Sequence, residues 1–220
     1  PMKKKFELNA DYQPETFEFR ADYKDKIKKI IALYPEGRQQ SAVMPLLDLA
    51  QRQVAEDGMK ANPPYGGWIP RAAMDHIAET LDMAPIKVYE VATFYSMYNL
   101  APVGKYLIQF CTTTPCQLCG SDDIVKATTE HLGVGLNQTT EDGKFSLMEV
   151  ECLGACVNAP MVQINDDYYE DLTPESMKEI IDLLSEDMKP KIGSQKGRKA
   201  SMALTGPTSL QDHAKKAGVV

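Results

Sequence analysis

Residues 106–119 read Tyr106-Leu107-Ile108-Gln109-Phe110-Cys111-Thr112-Thr113-Thr114-Pro115-Cys116-Gln117-Leu118-Cys119, and they decide the class of the C-terminal half. Tyr106–Cys111 is a short, mostly apolar run with the length of a buried strand. Thr112–Pro115 is turn chemistry, and helical spacing follows from about Gln117 to His131. Downstream, Phe145–Cys152 alternates as a second strand. Met161–Ile164 and Tyr168–Asp171 predict a hairpin across Asn165-Asp166-Asp167. Pro174 then opens a last helix, with Met177, Ile180, Ile181 and Leu184 on one face. The order β-α-β-β-β-α predicts a compact α/β sandwich over residues 101–188.

Upstream of residue 101 the period is helical. Asp22–Tyr34 places Tyr23, Ile27, Ile30, Ile31 and Tyr34 on one face, ended by Pro35-Glu36-Gly37. Ser41 is positioned to cap a second helix reaching Glu56, with Pro45 in its first turn. Pro70 and Pro85 each occupy the first position of a further helix, reaching Asp82 and Ser96. The aromatics of Val91–Tyr98, at helical spacing, belong to a core or a subunit interface. Residues 21–100 therefore predict a helical bundle, preceded by an extended arm over 1–20. Asp57–Gly67, with Pro63-Pro64-Tyr65-Gly66-Gly67, reads as a loop of undetermined role. From Lys189 to Val220 the chain is rich in Lys, Gly, Ser and Gln, which predicts an irregular tail unless a partner orders it.

Composition narrows the function. The 220 residues are 43% hydrophobic and 25% charged, so a packed core is expected rather than disorder. No run of about 18 apolar residues occurs, which argues against a membrane span. The net charge of −7 splits into +6 from Met188 onward and −13 before it. An acidic body with a basic tail argues against general nucleic-acid binding and points to a docking extension. The chain starts with Pro, which raises the expectation of a removed targeting segment and import into an organelle.

All five cysteines (Cys111, Cys116, Cys119, Cys152 and Cys156) fall within 46 residues. An odd count in two tight clusters is a poor disulfide framework and a good metal or redox site. Cys111 and Cys152 end the two predicted strands, while Cys116 and Cys156 follow in the adjoining turns. Both pairs thus leave one end of one sheet, where four thiolates suit iron or zinc. Gly154 and Pro160 permit a tight turn that points backbone amides at sulfur. Glu149 and Glu151 would lower a cluster's potential if they face it, or simply face water. Two rivals share these residues: zinc on Cys116, Cys119, Cys152 and Cys156, and a dithiol enzyme using Cys116-Gln-Leu-Cys119 at a helix start. Spacing alone leaves all three readings open. His76, His131 and His213 are scattered, and no P-loop, nucleophile triad or dinucleotide-binding fingerprint is visible. No catalytic residue is expected on this chain.

Longer motifs carry more. Cys111-Thr-Thr-Thr-Pro-Cys116 and Glu151-Cys152-Leu-Gly-Ala-Cys156-Val-Asn-Ala-Pro160 resemble the thioredoxin-like [2Fe–2S] ferredoxin subunits of respiratory NADH:ubiquinone oxidoreductase (complex I). Tyr34-Pro-Glu-Gly-Arg-Gln-Gln-Ser41, Val88-Tyr-Glu-Val-Ala-Thr-Phe-Tyr95 and Tyr168-Tyr-Glu-Asp-Leu172 match too, so the resemblance runs from about Glu15 to Gly206. It implies a helical domain before a thioredoxin-like domain, and one [2Fe–2S] cluster held by Cys111, Cys116, Cys152 and Cys156. Cys119 falls outside the family's ligand pattern. The implied role is a one-electron carrier that exchanges electrons with FMN on a flavin- and NADH-binding partner, off the main chain of clusters leading to quinone. A neighbouring iron–sulfur subunit of the peripheral arm is a second implied partner. The likeness of Met161-Val-Gln-Ile-Asn165 to mitochondrial members favours the matrix side of the inner membrane, with a bacterial inner membrane as the alternative. An equivalent subunit of an NAD-linked hydrogenase or formate dehydrogenase is the other family-level reading.

Overall fold

The computed structural model describes residues 10–206 and 208–218, so residues 1–9 of the expected arm and 207, 219 and 220 of the tail lie outside it. The chain divides into two compact units. One runs up to Tyr106 and includes Glu141–Ser146; the other comprises Leu107–Thr140 and the chain from Leu147 onward. The helical unit thus also claims 101–106 and a later excursion, which the periodicity assigns to the second domain. Two backbone bonds explain this: Lys105 N–H donates to the Gly143 carbonyl at 3.0 Å and Tyr106 N–H to that of Lys144 at 2.7 Å.

The helical unit holds α1 (Ala21–Ile31), α2 (Val43–Gly58), α3 (Arg71–Thr80) and α4 (Pro85–Phe94). Leu46, Leu47, Ala50, Ile69, Met74, Ile77 and Val88 form its fully buried centre. Ser41 caps nothing; it lies in a 3₁₀ turn, Gln39–Ala42, that feeds directly into α2. Pro70 is the residue before α3 rather than its first, whereas Pro85 does open α4. The described part of the arm carries no helix and closes the core, with Phe19 buried against Tyr23 of α1. Its backbone is satisfied by the buried Gln53, whose Oε1 accepts from Arg20 N–H and whose Nε2 donates to the Glu18 carbonyl, each at 2.9 Å. A buried amide is tolerated there because both its ends are bonded. The Val91–Tyr98 aromatics divide: Tyr98 is buried with its hydroxyl on the Met44 carbonyl, while Phe94 is 79% exposed.

The second unit holds β1 (Tyr106–Cys111), α5 (Thr114–Leu118), α6 (Ser121–Leu132), β2 (Phe145–Val150), β3 (Val162–Ile164), β4 (Asp167–Glu170), α7 (Pro174–Ser185) and β5 (Gly193–Ser194). The sheet order is β2-β1-β3-β4-β5. β3 lies antiparallel to β1, with Ile108 opposite Ile164, and antiparallel to β4 across a turn in which Asn165 takes φ +53°. The single helix expected over 117–131 is two helices. Gly120 sits at φ +98°, a left-handed conformation that ends α5 and lets α6 restart at Ser121.

The tail expectation needs correcting at its start. β5 pairs in parallel with β4, and the Arg198 guanidinium grips Asp171 through two bonds of 2.8 and 3.0 Å. The Asp171 side chain is 2% exposed and that of Arg198 10%. Arg198, which composition alone assigns to a solvated segment, is a buried charge with a buried partner. Around Arg198 and beyond it, through the short α8 (Gln211–Lys216), most of the described tail is exposed.

Burial pushes the Asp171 carboxyl up, but Arg198 and then Ser194 outweigh burial and hold it below the ordinary carboxylate range. A depressed folded-state value stabilises the fold above the unfolded value of about 4 and loses that contribution as pH falls through the lower folded one. Unfolding free energy should therefore decline on acidification below about pH 4, and Asp171→Asn should flatten that part of the profile. Denaturant melts across pH check this; an unchanged slope in the variant removes Asp171 from the account.

Candidate metal centre

β1 delivers Cys111 at its last residue, and Cys116 follows as the third residue of α5. Cys152 lies just past β2, and Cys156 starts a 3₁₀ turn, Cys156–Asn158. Cys111 and Cys116 are buried against Met161, with Leu153, Ala155, Ala159 and Tyr168 packed around them, whereas Cys152 and Cys156 are exposed. The Cys152 and Cys156 sulfurs lie 3.6 Å apart. The Cys111 and Cys116 thiols shift one another's protonation, and Cys156 interacts electrostatically with both. Two loops therefore bring four thiols together as two pairs, one inner and one outer.

Donors converge on these sulfurs. Thr113 is the residue before α5 but does not cap it; its hydroxyl turns to the Cys111 sulfur at 3.4 Å. Gly154 N–H points at the Cys152 sulfur at 3.4 Å, in a turn where Gly154 takes φ +82°. Burial raises the Cys111 thiol, but the Thr113 hydroxyl, the Leu153 and Thr113 N–H groups and the Cys116 thiol outweigh it and hold Cys111 below the ordinary thiol range. Cys116 is pushed up to about 12, first by burial and then by Cys111, against one N–H bond from Met161. Cys156 is raised, chiefly by Cys152. Cys111, Cys116 and Cys156 are each shifted by a neighbouring thiol, a mutual influence that a bound cationic centre would relieve by taking the sulfurs as thiolates.

The arrangement also discriminates between centres. Two plus two is the division a two-iron cluster uses, with two thiolates on each iron. A dithiol enzyme needs an accessible attacking thiol of lowered pKa. Cys116, the first cysteine of Cys116-Gln-Leu-Cys119, is 1% exposed and shifted the other way. Cys119 ends α5 as an exposed free thiol.

Several neighbours escaped sequence reading. Thr113, Leu153 and Met161 touch sulfur, and the Tyr168 hydroxyl holds the Leu153 carbonyl at 2.7 Å. Only Thr113, a hydroxyl residue between two cysteines, carried a local signal. Glu149 does not simply face water: it accepts from the Thr112 hydroxyl at 2.6 Å, next to Cys111, while Glu151 is exposed. The histidines serve elsewhere. His76 packs against Phe17 and Phe19, His131 pairs with Asp182 at 2.7 Å, and His213 lies exposed on α8.

Comparison with known proteins agrees with this geometry. A NADH-quinone oxidoreductase subunit of Rickettsia felis is 58% identical over 160 residues, covering 73% of this chain and 89% of that protein. The mitochondrial NADH dehydrogenase [ubiquinone] flavoprotein 2 of Dictyostelium discoideum is 48% identical over 204 residues, 93% of this chain and 77% of that protein. Among solved structures, an NAD+-reducing [NiFe]-hydrogenase superposes with TM-score 0.52 over 65% of this chain at 17% identity, which speaks to fold alone. This chain spans 23% of that hydrogenase chain. The thioredoxin-like [2Fe-2S] ferredoxin family matches residues 27–185. That span takes in both strand ends and all four paired thiols, and by it the chain belongs to the thioredoxin-like [2Fe–2S] ferredoxin family.

Proposed function

We propose that Cys111, Cys116, Cys152 and Cys156 hold one [2Fe–2S] cluster, and that the chain is an electron-carrying subunit of the NADH-oxidising module of complex I. The observation that carries this reading is the meeting of two thiol pairs from two strand ends, with hydroxyl and amide donors already aimed at sulfur. When bound, such a cluster accepts and returns a single electron, at a potential set by hydrogen bonds and nearby charge. The chain's part is to hold and tune. Thr113, Leu153 and Gly154 favour the thiolate forms, Met161 packs over the inner pair, and Glu149, anchored on Thr112, adds negative charge that favours the oxidised state. The exposed outer pair marks the side from which electrons arrive.

FMN and NADH belong on a partner subunit in this reading, since no phosphate-binding motif is visible here. The relatives' names, as subunits of NADH-quinone oxidoreductase and NADH dehydrogenase, support membership of such an assembly, and the neighbours this reading assigns are a flavin-bearing subunit and an iron–sulfur subunit. Among the described residues no helix is long and apolar enough to cross a membrane. We place it on the matrix side of the mitochondrial inner membrane, or on the equivalent cytoplasmic side in a bacterium. Anaerobically purified protein should contain two irons and two acid-labile sulfides per chain, with a one-electron paramagnetic signal after dithionite reduction. One tightly bound zinc with no labile sulfide would overturn the reading.

A further inference from the structure

The exposed Cys152–Cys156 loop has a second point of attachment, far along the chain. Asn158, the last residue of the turn that Cys156 begins, is 3% exposed. Its Nδ2 donates to Glu170 Oε2 at 2.7 Å and to the Ala200 carbonyl at 2.9 Å. Its own carbonyl accepts from Asp171 N–H at 2.8 Å, and its N–H donates to the Ala155 carbonyl inside the loop at 3.0 Å. The Asn158 Oδ1 is buried without a hydrogen-bond partner among the described residues. Turning the amide over would set that oxygen against a carboxylate and a carbonyl, so its two donor contacts fix its orientation. Leaving an acceptor unsatisfied costs about 1–3 kcal/mol, a cost accepted here for the sake of the donors.

Ala200 is held in turn by Arg198. That guanidinium binds Asp171 at 2.8 and 3.0 Å and donates a further bond to the Met202 carbonyl at 3.0 Å. Ser194 completes the lock: its hydroxyl donates to Asp171 at 2.6 Å and accepts from the N–H groups of Lys196 and Arg198. The chain from 193 to 200 is thereby closed over the end of β4 and over Asn158.

We propose that Arg198 and Asn158 are positioning residues for the metal centre, through which the start of the C-terminal segment clasps the Cys156 turn and holds the outer thiol pair in place. The proposal rests on the four-cysteine assignment above. The outer pair needs such a brace because Cys152 and Cys156 are exposed, on a loop with no strand or long helix of its own, whereas the inner pair is held by β1, α5 and packing. Neither residue touches sulfur; both act on the geometry of the residues that do.

The test uses the full-length, cluster-loaded chain. Arg198→Ala should lose iron to a strong chelator about tenfold faster or more, the range expected when a support behind metal ligands is removed. Its visible circular dichroism, which reports ligand geometry, should change shape, and Arg198→Lys should fall between variant and wild type. Arg198→Ala leaves the buried Asp171 without its counter-charge, with only the Ser194 hydroxyl named above still on it, which endangers folding. The double variant Asp171→Asn/Arg198→Ala removes that charge while keeping the clasp open, and should show the same fast release with far-ultraviolet dichroism unchanged. Folded variants that keep both the wild-type release rate and the wild-type visible spectrum overturn the clasp alone. Wild-type protein without labile sulfide overturns the ligand assignment and the clasp with it.

Discussion

Changing any one of Cys111, Cys116, Cys152 or Cys156 to Ala abolishes or transforms the visible and paramagnetic spectra of the purified protein, whereas Cys119→Ser leaves them intact. Each iron of a two-iron cluster takes two thiolates, so one deletion leaves an iron open to water and the cluster prone to loss. The inner substitutions, at Cys111 and Cys116, also remove sulfur from a packed environment of Met161, Leu153, Ala155 and Ala159, and no neighbouring thiol can replace it without repacking. The outer substitutions act at an exposed edge, where a non-protein ligand can enter, so a transformed rather than absent spectrum is expected there. Cys119 supplies the control because it shares the Cys116-Gln-Leu-Cys119 motif but is exposed at the end of α5. Labile-sulfide assay and low-temperature paramagnetic resonance on all five variants decide the matter. A Cys119→Ser protein that loses the cluster while Cys111→Ala keeps it would sink the assignment.

Much of this site was legible in the sequence, for a local reason. Tyr106–Cys111 is apolar because both its faces are covered, and the strand found has the bounds that the run suggests. The first strand ends at Cys111 as expected, while the second stops at Val150, two residues short of the expected Cys152, yet both still deliver a cysteine and its successor to one end of the sheet. What the sequence hid was pairing at a distance. Arg198 sits among Lys, Gly and Ser and reads as solvated, since its partner Asp171 lies in another element. Gln53 reads as the polar side of α2 until the arm supplies a carbonyl and an N–H for it. The helix break at Gly120 was missed because one glycine within helical spacing is ordinarily tolerated; it breaks here because the backbone adopts a positive φ. Among the N–H donors on sulfur, that of Gly154 is announced by its glycine turn, whereas those of Leu153 and Met161 come from backbone that carries no side-chain signal.

The expected loop 57–67, whose first two residues prove to close α2 and whose role its composition leaves undetermined, makes the other large prediction: Gly143→Ala destabilises the helical unit by roughly 2–5 kcal/mol. In that unit the loop seats on backbone. Gly66 N–H donates to the Val103 carbonyl at 2.8 Å, and Gly143 lies directly beneath Pro63 and Pro64. A Cβ on Gly143 would stand 2.4 Å from the Pro64 carbonyl oxygen and 3.1 Å from the Pro63 Cβ. Neither is a flexible side-chain end that could swing away, so either the loop or the 141–146 excursion must move. Gly143 also has φ +73°, which adds a conformational penalty of about 1–2 kcal/mol for any other L-residue. Gly37 separates the two contributions. Its φ is +74°, but a Cβ there meets nothing within 4 Å, so Gly37→Ala should cost only the conformational part. Both variants belong to the same unit, and chemical denaturation of each gives the comparison directly. The excess for Gly143→Ala over Gly37→Ala measures the seating of the loop, by about 1–3 kcal/mol for an overpacked contact. Equal losses in the two variants would mean that Pro63 and Pro64 yield without cost, and that the loop lies on the helical unit without bracing it.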